Sequence, residues 1–223
     1  MPNLLLNERK INQDFAKLTK RDANKSLYDA MTTTAPSVLV TPIERAAKHT
    51  LAPGYRLVRV DGREPEINGF PTFEIALLND ITQQVVYYNH VIITQVSDLN
   101  CRPASQMMVW RSSDQKHEAV LNNLANNVFF NYILERYDVI LSDSSHTGQG
   151  QFFWKRQMSS ALARGLYVYF YRMLEAQLEP ILNQEALDEL DESLWGEDDR
   201  YSHHLAIISR INLPTDLSLE ILN

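Results

Sequence analysis

The chain of 223 residues spells out an α+β fold, with a mixed, mostly antiparallel central sheet flanked by helices. Three observations predict it. From Tyr55 to Val96 the apolar period is two, and the runs break at Asp61-Gly62, Gly69, Pro71 and Asn79-Asp80, as strands joined by hairpins do. Around this block, 7–31, 114–136 and 149–164 carry apolar residues at helical spacing. The run YDVILSDSSHTGQGQFFWKRQMSSALARGLYVYFYR from Tyr137 to Arg172 reads as strand, polar turn, amphipathic helix, strand.

In chain order, Ile11, Phe15, Leu18, Leu27 and Met31 share one face of the first helix, which the run Thr32–Pro36 ends. A short strand is expected at Val38–Val40. Pro42 suits the first turn of a helix reaching His49, and Pro53-Gly54 marks a turn. Strands follow at Tyr55–Val60, Thr72–Leu78, Gln84–Val96 and Gln106–Arg111. A long helix over Asp114–Arg136 buries Val120, Leu121, Leu124, Val128 and Ile133, with Ser113 or Asp114 as its N-cap. Val139–Leu141 centres the next strand. The helix Gln149–Arg164 places Trp154, Met158, Ala161 and Leu162 on one side, and Gly165 ends it. Leu166–Tyr171 is a continuous apolar and aromatic strand. Beyond Pro180 the pattern weakens, and Leu205–Ile211 reads as a last short strand or helix. The expected organisation is an N-terminal helical extension (1–36), an α/β core (37–172) and an acidic C-terminal extension (173–223).

Composition narrows the function. A hydrophobic fraction of 44% with 22% charged residues is that of a globular protein. The single cysteine, Cys101, allows no internal disulfide and suits a reducing compartment. The apolar run in MPNLLLNERK is too short for a signal-peptide core or a membrane span, so a cytoplasmic location is expected. The net charge of −7 is concentrated in Glu185, Asp188, Glu189, Asp191, Glu192, Glu197, Asp198 and Asp199, and the remainder is near neutrality. With no basic stripe, nucleic acid is not an expected partner. The acidic run is either a solvated face or a surface that docks a basic partner or mimics nucleic acid.

The densest polar cluster is Asp143, Ser144, Ser145, His146 and Thr147, beside a core strand. His146 there suits a general base and Asp143 an anchor for a substrate amine, whereas the plainer reading has Asp143, Ser145 or Thr147 capping the helix. Tyr167, Tyr169 and Tyr171 share a strand face that either packs or offers a phenol. Cys101 has no placed base. His203-His204 lack the partners of a metal site, so no metal is expected. There is no P-loop, no GxGxxG and no G-x-S-x-G elbow.

The order of elements over about 38–172, and the SDSSHTGQGQFFW run, resemble the GNAT superfamily of acyl-CoA-dependent N-acyltransferases, in particular divergent members carried by bacteriophages. The resemblance implies acetyl-CoA as cofactor, with its pantetheine arm between strands 106–111 and 138–142. It implies a cofactor site at Trp110, Ser112, Ser113 and Lys116, the diphosphate lying on backbone N–H groups of Ser112–His117. Asp143 or His146 would assist amine deprotonation and Tyr169 would reprotonate the thiolate. The family's loop is basic and glycine-rich. Here it has no glycine, and Asp114 sets a carboxylate against the diphosphate. A second reading follows: a catalytically inactive, phage-encoded protein of the host cytoplasm that binds a host or virion protein through its surface, the acidic segment 185–199 first among candidates.

Overall fold

Alternating β-branched and aromatic residues build strands that pair in the order β1-β2-β3-β4-β5-β6-β9-β7-β8, one nine-stranded sheet. The structure is a computed structural model that describes residues 8–33, 35–96, 99–142, 148–195 and 203–215. In chain order the elements are α1 (Glu8–Leu18), α2 (Arg21–Thr32), β1 (Leu39–Pro42), β2 (Tyr55–Asp61), β3 (Thr72–Asn79), β4 (Gln84–Thr94) and β5 (Ala104–Arg111). Then come α3 (Glu118–Leu121), α4 (Leu124–Val128), β6 (Asp138–Ser142), α5 (Gly148–Ala163), β7 (Tyr167–Arg172), β8 (Gln177–Ile181), α6 (Gln184–Glu189), α7 (Asp191–Trp195) and β9 (His204–Ser209). The fold is mixed α+β. The β1–β2, β2–β3, β3–β4, β6–β9, β7–β9 and β7–β8 ladders are antiparallel, and β5–β6 is parallel.

The described residues form two compact units, one within 8–93 and 106–133, the other within 94–105 and 134–215. In the first unit the register Val60↔Glu74↔His90 and Val58↔Ala76↔Tyr88 puts these six residues on one face of the sheet. Val58, Val60, Ala76, Leu78, Val85, Tyr88 and Met108 form one core with Leu18, Tyr28 and Met31 from the first two helices. Asn24 fixes α2 on this face: its amide donates to Val85 O (2.9 Å) and accepts from Val85 N–H (2.8 Å). Tyr28 donates to Asp80 (2.8 Å), which also takes a forked pair of bonds from Arg56. Glu74, at 1% side-chain exposure, is held by Arg63 and by the Tyr88 hydroxyl (2.7 Å). Gly62 sits at φ +77°, and a Cβ there would lie 2.0 Å from Ser37 O, so only glycine fits.

In the second unit β9 lies between β6 and β7, with Val139↔Ile208 and Val168↔Ile208 in register. Residues 173–215 thus supply an interior strand. Their apolar run LAII is legible, but its insertion between two earlier strands is a long-range choice. One core gathers Val96, Leu99, Ala104, Ile140, Tyr169, Tyr171, Leu205 and Ile207. The parallel ladder pairs Ala104 with Asp138 and Ser105 with Val139. Arg102 locks it: its guanidinium donates to Asp138 Oδ1 (2.7 Å) and to the carbonyls of Leu134 and Tyr137 (3.0 Å each), and its backbone N–H donates to Asp138 Oδ2 (3.0 Å).

Several boundaries differ from the pattern-based expectation. The helix over 7–31 is two helices broken at Thr19-Lys20, where Thr19 turns its hydroxyl back onto Ala16 O (2.8 Å). Pro42 ends β1 instead of opening a helix, and Lys48 is left-handed (φ 52°), so 43–48 is a turn. The helix over 114–136 is a single 3₁₀ turn (Gln115–His117), two short α-helices and a π-helical turn (Phe129–Ile133). Asn123 at φ 58° interrupts it, a conformation asparagine tolerates better than most residues. Among the described residues no helix is long and apolar enough to cross a membrane.

Two outcomes are expected in urea unfolding. Arg102→Ala strands the fully buried Asp138 carboxylate, and breaking such a pair costs about 3–5 kcal/mol. The Arg56 hydrogen bonds hold the Asp80 carboxyl below its usual range. Its contribution is present above its unfolded value and is lost as pH falls through the lower folded value. The stability gap between wild type and Asp80→Asn therefore narrows on acidification below about pH 4.

Candidate functional site

β5 carries Trp110 to the edge of the first unit's core, where the indole is partly buried against the residues packed under α1 and α2. The Ser112 N–H donates to Val86 O (2.8 Å), so strand geometry persists one residue past β5. The chain then turns on its own polar groups. Asp114 N–H donates to Ser112 Oγ (3.2 Å), and Asp114 Oδ1 accepts from Lys116 N–H (3.1 Å). Lys116 Nζ lies 2.8 Å from Asp114 Oδ2, and His117 N–H donates to Asp114 O (3.0 Å). Asp114 is thus the N-cap of the turn, as the sequence allowed. Its carboxyl sits below its usual range, chiefly through the Lys116 side chain.

These bonds decide what the turn can hold. The N–H groups of Asp114, Lys116 and His117 already have partners within the turn. A diphosphate placed here would have to displace Asp114 or lie against its charge. The helix that follows is one 3₁₀ turn and four α residues, too short to build the dipole of a long helix. Ser113 and Lys116 are exposed, and with Ser112 they form a turn that does not fit the cofactor's phosphates.

Behind this turn His117 is 2% exposed. Its Nδ1 lies 2.8 Å from the Tyr55 hydroxyl and its ring meets the tyrosine edge-on. Burial lowers its pKa, so it is neutral at pH 7. His49 holds the same segment from the 43–48 turn: its Nε2 donates to Val120 O (3.0 Å), and its Nδ1 accepts from Asn127 Nδ2 (3.0 Å). Asn131 donates to Ala47 O (3.1 Å). Tyr55 and His49 escaped the sequence reading because their partners are 62 and 71 positions away. Glu74 did leave a signal: it is the one charge inside the apolar run TFEIALLN.

Of the residues expected to catalyse, Asp143 and His146 lie outside the described residues, as do Ser144, Ser145 and Thr147. Tyr169 is buried in the second unit's core. Its hydroxyl donates to Asn212 Oδ1 and accepts from Leu213 N–H, both at 2.8 Å, and burial raises the phenol's pKa. A hydroxyl so engaged pins the chain after β9. Tyr169 and the Ser112–Lys116 turn belong to different units. Cys101 is half-buried, and burial pushes its thiol up to about 11, which leaves little thiolate at neutral pH. Among the described residues no group of three or more His, Cys, Asp or Glu could hold a metal. His204 Nδ1 donates to Ser193 O (3.1 Å) and its ring meets Phe170 edge-on. Glu185, Asp188, Glu189, Asp191 and Glu192 are exposed on α6 and α7, which bury Leu187 and Leu194, and Lys155 pairs with Asp191. Glu197, Asp198 and Asp199 lie outside the described residues.

Tyr169→Phe keeps the ring and leaves the buried Leu213 N–H without its acceptor. The expected loss is about 1–3 kcal/mol by denaturant unfolding, and a value near zero would remove the structural role assigned to the hydroxyl. No protein-family model, curated protein or solved structure matches the chain.

Proposed function

We propose that this chain has a GNAT-like fold whose acyl-CoA position is closed by its own side chain, and that it acts by binding another protein rather than by acetyl transfer. One observation carries the reading. At the turn where the resemblance sets the diphosphate, the Asp114 carboxylate occupies the Lys116 N–H and ammonium. Phosphate oxygens would need those same donors, and a like charge beside them opposes entry. The exposed carboxylates of α6 and α7 are the surface best suited to a basic partner, such as a host or virion protein.

Acetyl transfer to an amine is the second reading, favoured by the parallel β5–β6 pair in an otherwise antiparallel set of described ladders. Under it Asp143 or His146 takes the amine proton and acetyl-CoA is the donor.

Acetyl-CoA titration followed by melting temperature separates the two. A ligand at a hundred times its dissociation constant adds about 2.7 kcal/mol, which in a chain of this size raises Tm by roughly 5–10 °C. Binding of another protein as the sole function predicts no shift at millimolar acetyl-CoA. A shift of that size, with acetylated amine product, would establish the second reading instead.

A further inference from the structure

We propose that Gln115–Leu121 is a pH-operated latch in the first unit, held shut by His117 and His49 at neutral pH and released when the two imidazoles are protonated. The inference stands apart from the acyl-CoA reading, since it concerns only how this segment is fastened.

Two histidines from different parts of the chain grip one short segment. His117, inside the segment, has its Nδ1 2.8 Å from the Tyr55 hydroxyl of β2 and is 2% exposed. His49, on the 43–48 turn, donates from Nε2 to Val120 O and accepts at Nδ1 from Asn127 Nδ2, each at 3.0 Å. A carbonyl oxygen only accepts and an amide nitrogen only donates, so Nε2 of His49 carries a proton and Nδ1 presents its lone pair. Protonation at Nδ1 would set an N–H against the amide donor of Asn127. At His117 it would place a charge where water is excluded.

Beyond these bonds the segment is held by the burial of Val120 and Leu121. Its α-helical part is four residues, far below the length at which a helix persists alone. It ends at Asn122 and Asn123, the latter at φ 58°, a ready hinge. Such a piece opens locally at low cost once its side-chain fastenings go. The charged groups acting on His117 are Lys116, which opposes protonation, and Asp114, which favours it; Tyr55 is the titratable group opposite on β2. On the His49 turn stand Glu44, Arg45 and Lys48, and Glu118 begins α3. Opening frees the Tyr55 hydroxyl and the Ser112–Lys116 turn.

The test is hydrogen–deuterium exchange of the whole chain at about pH 7.5 and about pH 5, corrected for the intrinsic pH dependence of exchange. Protection over 112–123 should fall several-fold more than over β2 and β3, because the open form takes the proton at the ordinary imidazole pKa while the closed form resists it. In the double variant H49Q/H117Q the two pH values should give the same protection for that segment. Equal loss across the first unit, or unchanged protection of 112–123 in the wild type, overturns the proposal. Ring-proton NMR of the unaltered chain guards against misfolding of the variant. His117 should titrate below the ordinary 6.5 in step with the loss of protection, and titration with the segment still protected would also overturn it.

Discussion

The contact between Arg102 and Asp138 is the constraint on which the second unit turns. Parallel pairing is slightly less stable per residue than antiparallel pairing, and here the ladder has two residue pairs. A guanidinium just before β5 compensates by tying itself to the first residue of β6 and to the carbonyls that precede it. Asp138 is fully buried, so its charge is tolerated only because the Arg102 fork and backbone N–H both meet it. With that end set, Ser105 adds a bond to Asp138 O (3.2 Å) and β6 can receive β9 on its other side. Arg210 then pairs with Glu135 at 2.8 Å, near the same corner.

The first unit relies on a different device. Its sheet is fastened to what covers it by single polar side chains reaching backbone groups: Asn24 onto Val85, Asn131 onto Ala47, His49 onto Val120. Each answers a backbone donor or acceptor that would otherwise be buried without a partner. Helical pieces too short to persist alone are thereby held in place. The same economy makes Gln115–Leu121 sensitive to the protonation of its fastenings, and it explains why the turn before it satisfies itself through Asp114 instead of waiting for a ligand.

The Asp114 carboxylate, holding the Lys116 N–H and ammonium, opposes a phosphate at this turn whatever fold surrounds it. The carboxylates on α6 and α7, by contrast, stand in solvent above buried leucines and are free to meet a cationic surface, Asp191 sharing its charge with Lys155.

Period-two runs in 55–94 and the continuous apolar strand at 167–171 were legible from residues alone, because alternation and β-branching act locally. The same local logic overreached at 114–136: Val120, Leu121, Leu124 and Val128 do fall on one helical face, yet the Asn122-Asn123 break between them is decided by what the flanking pieces must reach. Of the site, Asp114 as cap and the missing glycines were readable, since both are near-neighbour chemistry. The partners of His117, His49, Glu74, Arg102 and Tyr169 were not, because each bond joins positions separated by at least 11 and up to 78 residues. Pattern by itself determined the α+β class and most strands. Only tertiary structure decided that β9 enters between β6 and β7 and which buried polar groups meet, since those choices are set by burial and hydrogen-bond satisfaction across the whole chain.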